Sequence, residues 1–310
     1  MTSKPIAGTK PPLVVLRGGG DVATGVAWRL VHAGFAVVVL ELAEPLTVRR
    51  TVALSSAVRM GTVDIEGLRG VLFGNPSDAV AAAQLAAANN RAELAVLVCP
   101  SLATFSGPTS RPNVVVDARL AKRNIDTSMN DADVVIGLGP GFTAGTDVHA
   151  VVETNRGHHL GRVFWTGSAE PNTGVAAEVG GRGAERVLRA PTNGMIRWDV
   201  AIGDRVVEGQ HLGTMANGTV LPAPFSGILR GLIADSVDVP AGMKIGDIDP
   251  KCLPATCFEI SDKALAIGGG VVEAALIGLR NLRSPIQEVR TDPASKPEEH
   301  RRYQPPYPVR

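Results

Sequence analysis

The sequence predicts an α/β chain, a mostly parallel sheet followed by a smaller all-β lobe. Three observations predict it. Continuous apolar runs such as Leu13-Val14-Val15-Leu16 and Leu94-Ala95-Val96-Leu97-Val98 are the pattern of parallel strands buried on both faces. A glycine-rich segment joins the first run to residues with helical spacing. In the C-terminal third, Ala190-Pro191-Thr192-Asn193-Gly194 returns as Ala223-Pro224-Phe225-Ser226-Gly227, Arg197 as Arg230, Val206 as Val239, Gly209 as Gly242 and Gly213 as Gly246. Every pair has the same offset. A gapless repeat of short Val/Ile segments between glycine turns predicts two β units that bury their apolar faces against each other.

The 310 residues suffice for two ordinary domains. Predicted boundaries are a disordered leader over 1–12, the α/β domain over 13–185 and the β lobe over 186–250. A closing segment and helix over 251–283 and a disordered tail over 284–310 follow. A net charge of +1 gives no basis for binding nucleic acid or a membrane surface. No unbroken apolar run approaches the ~20 residues of a membrane span. Without a signal-peptide apolar region at the start, the cytoplasm is the expected location. Cys99, Cys252 and Cys257 have neither metal spacing nor a C-x-x-C arrangement, so reduced thiols are expected.

After the first strand comes Arg17-Gly18-Gly19-Gly20-Asp21-Val22-Ala23-Thr24-Gly25, then a helix ended by Gly34, then a strand from Phe35 that ends at Glu41. This βαβ unit carries Gly18-x-Gly20-x-x-Ala23, the spacing of a Rossmann-like dinucleotide fingerprint. Small residues let backbone approach a pyrophosphate, and the helix N-terminus directs free N–H groups at it. Glu41 stands where an acid accepts from a ribose hydroxyl. Asp21 conflicts with that picture, because a carboxylate repels phosphate unless a cation or a proton intervenes. A glycine turn that merely packs the helix on the sheet also fits. Pro45 to Ala57 reads as an extended loop in which Arg49 and Arg50 either pair with an anion or face solvent. Ser77 to Asn90 reads as a helix capped by Ser77.

A second glycine-rich segment, Gly137-Leu138-Gly139-Pro140-Gly141-Phe142-Thr143-Ala144-Gly145, follows the strand Asp133-Val134-Val135-Ile136. Gly139, Gly141, Thr143 and Gly145 are its anion-site candidates. If Asp147 to Thr154 is extended, Asp147, His149 and Glu153 project on one face and become acid–base candidates; their spacing is no metal signature, and no metal is expected. Asn155 and His158 complete this polar cluster. The alternative is an ordinary hydrogen-bonded strand edge. Gly268-Gly269-Gly270 reads as a turn before a final helix over Val271 to Leu279.

Gly203-Asp204-Arg205-Val206-Val207-Glu208-Gly209-Gln210 and Ala223-Pro224-Phe225-Ser226-Gly227 resemble the biotinyl/lipoyl-type hammerhead, a barrel-sandwich hybrid. Carrier hammerheads place a modified lysine between Met residues on the central hairpin. Here that stretch is Thr214-Met215-Ala216-Asn217-Gly218-Thr219-Val220, with no lysine, so neither biotin nor lipoate is expected. Over a longer range, Arg17 to Ala27, Glu41 with Arg49-Arg50-Thr51-Val52, Gly137 to Gly145, Asp147-Val148-His149-Ala150, Glu153 to His158, Pro171-Asn172-Thr173-Gly174, Lys244 to Pro250 and Ile260 to Gly270 resemble the selenium-dependent molybdenum hydroxylase system protein family, of the YqeB type. Val175-Ala176-Ala177 and Lys251 depart from that pattern.

The resemblance implies an accessory role in maturing molybdenum hydroxylases: cofactor handling, insertion, or sulfur or selenium loading. The implied partners are the apo-hydroxylase or its maturation factors, and a homo-oligomer stays open. Because ligands of open α/β sheets bind beyond the carboxyl ends of the strands, a dinucleotide or molybdopterin-type cofactor is expected there. Gly18, Gly19, Gly20, Asp21, Thr24 and Gly25 would hold phosphate, and Glu41 a sugar hydroxyl. A nucleotide-dependent oxidoreductase or nucleotidyl-transfer enzyme and a non-catalytic scaffold are the competing expectations.

Overall fold

A computed structural model describes residues 10–105, 107, 111–172, 181 and 183–283. Most of the expected leader (1–9), the tail (284–310) and the loop after Gly174 lie outside the described residues. In chain order, the first domain contains β1 (Leu13–Arg17), α1 (Asp21–His32), β2 (Ala36–Glu41), α2 (Ala57–Met60), β3 (Thr62–Ile65), β4 (Leu68–Phe73), α3 (Pro76–Ala88), β5 (Glu93–Val98), α4 (Leu102–Phe105), β6 (Val114–Asp117), β7 (Val134–Leu138), β8 (Thr143–Ala144), β9 (Ala150–Val152), β10 (Val163–Phe164) and β11 (Gly167–Ser168). A final helix, α5 (Asp262–Arg283), returns to this domain after the β lobe.

Nine of these strands form one sheet among the described residues, in the order β10-β9-β7-β6-β1-β2-β5-β4-β3. Pairing is parallel from β9 to β4 and antiparallel at both edges. The apolar runs explain it: Val14, Leu16, Val37, Val39 and Val96 pack on one face with α1 and α5, and Val15, Val38, Leu97 and Val115 on the other with α3. The chain changes direction across the sheet between β1 and β6, the kind of position beyond which ligands of open α/β sheets bind.

Several local expectations are corrected. Pro45 to Ala57 is not extended: 3-10 turns at Arg50–Val52 and Leu54–Ser56 run into α2. The hairpin β3–β4, turned by Glu66 (φ 46°) and Gly67 (φ 78°), adds an antiparallel edge that the apolar runs do not signal. The cap of α3 is Asn75, whose Oδ1 accepts the Asp78 amide at 2.9 Å, with Pro76 opening the helix. Gly268-Gly269-Gly270 lies inside α5 rather than before it. A Cβ at Gly268 would stand 2.6 Å from Gly25 O, and one at Gly270 2.2 Å from Gly161 O, so these glycines let the helix press on α1 and on the end of the sheet. Pro254–Leu282 also meets the length and apolarity of a membrane span, contrary to expectation; Ile267, Val271 and Ala274 on it are core residues of this domain.

The β lobe comprises β12 (Val187–Arg189), β13 (Ile196–Trp198), β14 (Arg205–Val206), β15 (His211–Met215), β16 (Val220–Pro222), β17 (Gly227–Leu232) and β18 (Lys244–Asp249). They form antiparallel sheets β12-β18-β17-β14 and β13-β15-β16 around Ile196, Val206, Leu212, Met215, Phe225, Leu229, Val239 and Ile248. The sequence repeat appears as a local dyad. Ile196 pairs with Met215 as Leu229 pairs with Ile248. Gly194 bridges Val239 of the second copy, and Gly227 pairs with Val206 of the first. The Gly209 amide donates to Ala223 O and the Gly242 amide to Ala190 O. Each copy thus completes its neighbour, and neither can bury its face alone. The lobe is fastened to the sheet domain by Arg50 Nε on Leu232 O at 2.6 Å and by close approach of Gly231 to Val48.

Candidate ligand site at the carboxyl edge of the sheet

The first glycine loop is more self-contained than its fingerprint suggests. Gly18 (φ +96°) donates to Leu40 O at 2.8 Å. Gly19 donates to Glu41 Oε1 at 2.9 Å, and Leu42 N to Glu41 Oε2 at 2.6 Å. Burial pushes the Glu41 carboxyl up, against the pull of those two amides. Glu41 therefore braces the loop from beneath, with each oxygen already accepting one backbone amide. Thr24 is buried, its hydroxyl bridging Gly20 O and Leu54 N, and a Cβ on Gly25 would meet Ala264 at 2.6 Å. Only Gly20 faces space: a Cβ added there would have Thr47 Oγ1 as its nearest atom, 4.0 Å away. The Asp21 conflict is resolved by a cation: Arg49 Nη1 lies 3.2 Å from Asp21 Oδ2. Arg49 is buried, and its Nε has no hydrogen-bond partner. Arg50, by contrast, is spent on the lobe junction.

The acid–base trio is not assembled. β9 spans three residues, so His149 and Glu153 stand at its opposite ends, roughly 13 Å apart at ~3.3 Å per residue. Asp147 Oδ2 caps the Thr143 amide at 2.9 Å. His149 Nδ1 accepts the Val135 amide at 3.0 Å, and burial lowers its pKa. Glu153 is fully buried and accepts the amides of Thr154, Asn155 and Glu170, each at 2.7 Å. It holds two loop segments together. In the second glycine segment Gly137, Gly139 and Gly141 are filled by their own chain, while Gly145 has nothing within 4 Å of a Cβ position. A Cβ at Gly139 (φ +74°) would lie 2.3 Å from Thr154 Oγ1, and one at Gly141 (φ +106°) 2.5 Å from the Arg123 backbone. Gly145 (φ +85°) turns with its amide on Val148 O, and Thr143 reaches Ser168.

What the second segment does form, through Leu138 and Pro140, is part of the wall of a cleft of about 260 Å³ beyond the carboxyl ends of β7 and β9. Lys122, Asn155, Arg156, Glu170 and Lys263 supply its polar lining, with Leu120, Leu138 and Pro140 as apolar floor. Leu120 (φ 53°) and Lys122 (φ 61°) hold left-handed backbone, strain that side-chain-bearing residues carry only where surroundings impose it. Asn155 Nδ2 donates to Glu170 Oε2 at 2.6 Å and His159 Nδ1 meets Glu170 Oε1 at 3.1 Å, while His158 stacks edge-on against His159 outside. Arg156 forms two bonds to Asp262, at 2.9 and 2.7 Å, which hold that carboxyl down at about 2.

Lys263 is different. It is half-buried at the start of α5, lines the cleft, and has no side-chain hydrogen bond or ion pair among the described residues. Burial lowers its pKa, with Arg156 adding to the effect; Asp21 and Glu153 act in the opposite sense. The amine therefore feels the carboxylates at the first helix start and at the end of β9. Sequence reasoning places Lys263 in a motif without giving it a role. The signal is a lone cation at the start of a Gly/Ala-rich helix whose neighbouring glycines force close packing. Sequence reasoning also misses a network at the ends of β1 and β6, in which buried Arg17, Asp117 and Thr127 join half-buried Arg119 and exposed Asp126. Arg17 Nη1 donates to Thr127 Oγ1 and Arg17 Nη2 to Asp126, both at 2.7 Å, and Thr127 donates to Asp117 Oδ2 at 2.6 Å. These groups satisfy one another and so stiffen the edge rather than await a ligand.

Comparison with known proteins follows this geometry. No family model matches the chain. It is 45% identical over 265 residues to a protein of Escherichia coli K12 named only as uncharacterized protein YqeB. The match covers 86% of this chain and 47% of the relative, so the chain spans about half the length of the curated relative it matches. The similarity supports the YqeB-type relationship and carries no activity with it. Two solved structures align broadly but loosely. An aspartoacylase family protein from Mesorhizobium loti matches at 11% identity and TM-score 0.23, over 79% of this chain and 86% of its own. A succinylglutamate desuccinylase/aspartoacylase from Rhodobacter sphaeroides matches at 16% and 0.25, over 78% and 87%. At such scores neither bears on fold or function.

Proposed function

We propose that the chain binds an anionic, phosphate-bearing cofactor of the nucleotide or molybdopterin class in the Lys263 cleft. We further propose that it acts as an accessory protein in molybdenum-hydroxylase maturation, by cofactor handling, insertion, or sulfur or selenium loading. The observation that carries the binding claim is the half-buried Lys263 amine, without a side-chain hydrogen bond or ion pair among the described residues, lining the cleft beyond β7 and β9. Burial disfavours the Lys263 ammonium despite the nearby Asp21, Glu153 and Asp262 carboxylates, and an anionic ligand in direct contact offsets that cost. Lys122 adds a second positive charge to the lining. The maturation role rests on the motif resemblance and on the YqeB-type relationship.

Binding is favoured over catalysis because the acid–base candidates are engaged with backbone and stand apart. The lobe fits a hammerhead-type module used for structure or partner docking: its strands pair about a dyad, and the turn at Ala216-Asn217-Gly218 offers no lysine. The reading is tested by mixing the purified chain with cofactor-free molybdenum hydroxylase and molybdenum cofactor. Activation faster or fuller than for hydroxylase and cofactor alone is expected, and its loss in Lys263→Gln. Identical activation with and without the chain overturns the role.

A further inference from the structure

The spacing Cys252-x-x-x-x-Cys257 matches no recognised thiol motif, yet the fold brings the pair together. The sulfurs lie 3.8 Å apart, with Cys257 on the 3-10 turn Pro254–Phe258 between β18 and α5 and Cys252 just before that turn. Cys257 is fully buried, its Sγ directed at Leu229 O at 3.7 Å. Cys252 is half-buried and lies within 3.0 Å of Thr256 Oγ1. The backbone around them is fixed: Asp249 Oδ1 accepts the Cys252 amide at 3.1 Å, and Thr51 Oγ1 donates to Cys257 O at 2.6 Å. Arg49 and Arg230 lie close enough to bear on Cys257 electrostatically. Cys99, the third thiol, is buried with its Sγ on Ser101 O, and serves as an internal control.

We propose that Cys252 and Cys257 form a redox-active dithiol, closed to an intramolecular disulfide by peroxide and reopened by thiols. The exposures divide the roles. Cys252 is reachable and attacks; Cys257 resolves from within. Burial, reinforced by the Cys252 neighbour, holds the Cys257 thiol up to about 12, so it does not compete as first nucleophile. Cys252 loses its proton to solvent and its sulfur attacks one peroxide oxygen; the O–O bond breaks and hydroxide leaves, giving a sulfenic acid. Cys257 loses its proton as its sulfur attacks Cys252 Sγ; an S–S bond forms, the S–O bond breaks and a second hydroxide leaves. The two protons and two hydroxides make two waters, and two electrons pass from the thiols to the peroxide. Closure to a bond of about 2.05 Å requires the sulfurs to approach by roughly 2 Å, within reach of side-chain rotation on the turn.

The test uses the full chain. Hydrogen peroxide at stoichiometric excess is followed by thiol titration in denaturant and by intact mass. The expected result is a fall from three titratable thiols to one, with about 2 Da lost from the monomer and recovery of three on adding dithiothreitol. Peptide mapping should place the link between Cys252 and Cys257. In Cys257→Ser the reaction should stop at a dimedone-reactive sulfenic acid on Cys252. Three thiols surviving peroxide, oxygen added to Cys252 with Cys257 still free, or a disulfide between two chains would each overturn the proposal. If Cys257→Ser does not fold, the wild-type mass and thiol count decide alone.

Discussion

The two glycine-rich loops look alike in sequence and differ in what fills the space beside each glycine. Both follow parallel strands and both run to the carboxyl edge. In the second loop the chain closes on the glycines nearest the sheet: Thr154 lies against Gly139, Arg123 against Gly141 and Phe142 against Gly137. In the first, Gly18, Gly19 and Gly25 are filled the same way; the open positions are Gly20, at the start of α1 with an ordinary φ, and Gly145, which turns with positive φ at the far end of the second loop. Counting glycines therefore finds close packing as readily as a ligand site. A cavity with an unpaired charge lining it is the discriminating feature, and that is the cleft around Lys263.

The largest expected effect breaks this contrast if it fails. Gly141→Ala combines left-handed strain of about 1–2 kcal/mol with a clash worth about 1–3 kcal/mol, so a loss of about 3 kcal/mol in urea unfolding is expected. Gly20→Ala, at φ −68° in open space, should stay within about 1 kcal/mol of the parent. Equal losses would remove the distinction between the loops. A smaller version of the same contrast lies within α5. Gly270→Ala should cost about 1–3 kcal/mol through Gly161 O, while Gly269→Ala, with nothing within 4 Å, should stabilise by about 0.5–1 kcal/mol.

Glu41→Gln sharpens the assignment of that residue as a brace. Its two oxygens take one amide each, and a carboxamide has a single acceptor oxygen. One amide is then left unpaired, at about 1–3 kcal/mol. Unchanged stability together with weakened ligand binding would return Glu41 to the ligand site. The smallest effect concerns His149. Its folded pKa lies below the ordinary 6.5 because of burial, so the unfolded chain takes up the proton first. Stability is thus present above pH ~6.5 and lost as pH falls toward the folded value. In His149→Asn, whose carbonyl can still accept from Val135, denaturation midpoints should vary less between pH 7.5 and 5.

The sheet is largely legible in the sequence because buried parallel strands leave unbroken apolar runs, and β1, β2, β5 and β6 are such runs. The repeat exposes the lobe because dyad-related pairing requires the same residues twice. The site is less legible. Local spacing cannot show that Glu41 folds back on Gly19, that Arg49 neutralises Asp21 across the chain, or that a three-residue β9 separates His149 from Glu153. Lys263 comes from more than a hundred residues beyond the second glycine loop and reaches the cleft only because Gly25, Gly161, Gly268 and Gly270 let α5 settle close. Spacing alone sets the two thiols apart, and a short 3-10 turn undoes that inference.

The most direct measurement is a thermal-shift panel of NAD, NADP, ATP, CTP and molybdopterin with and without its nucleotide, on the parent chain and on Lys263→Gln. A ligand at ~100 times its Kd adds about 2.7 kcal/mol, or roughly 5–10 °C for a chain of this size. The account predicts such a shift for one anionic ligand in the parent and its loss in Lys263→Gln, whose unliganded midpoint stays close to the parent's. A flat panel, or an equal shift in both proteins, contradicts the Lys263 cleft as the binding site.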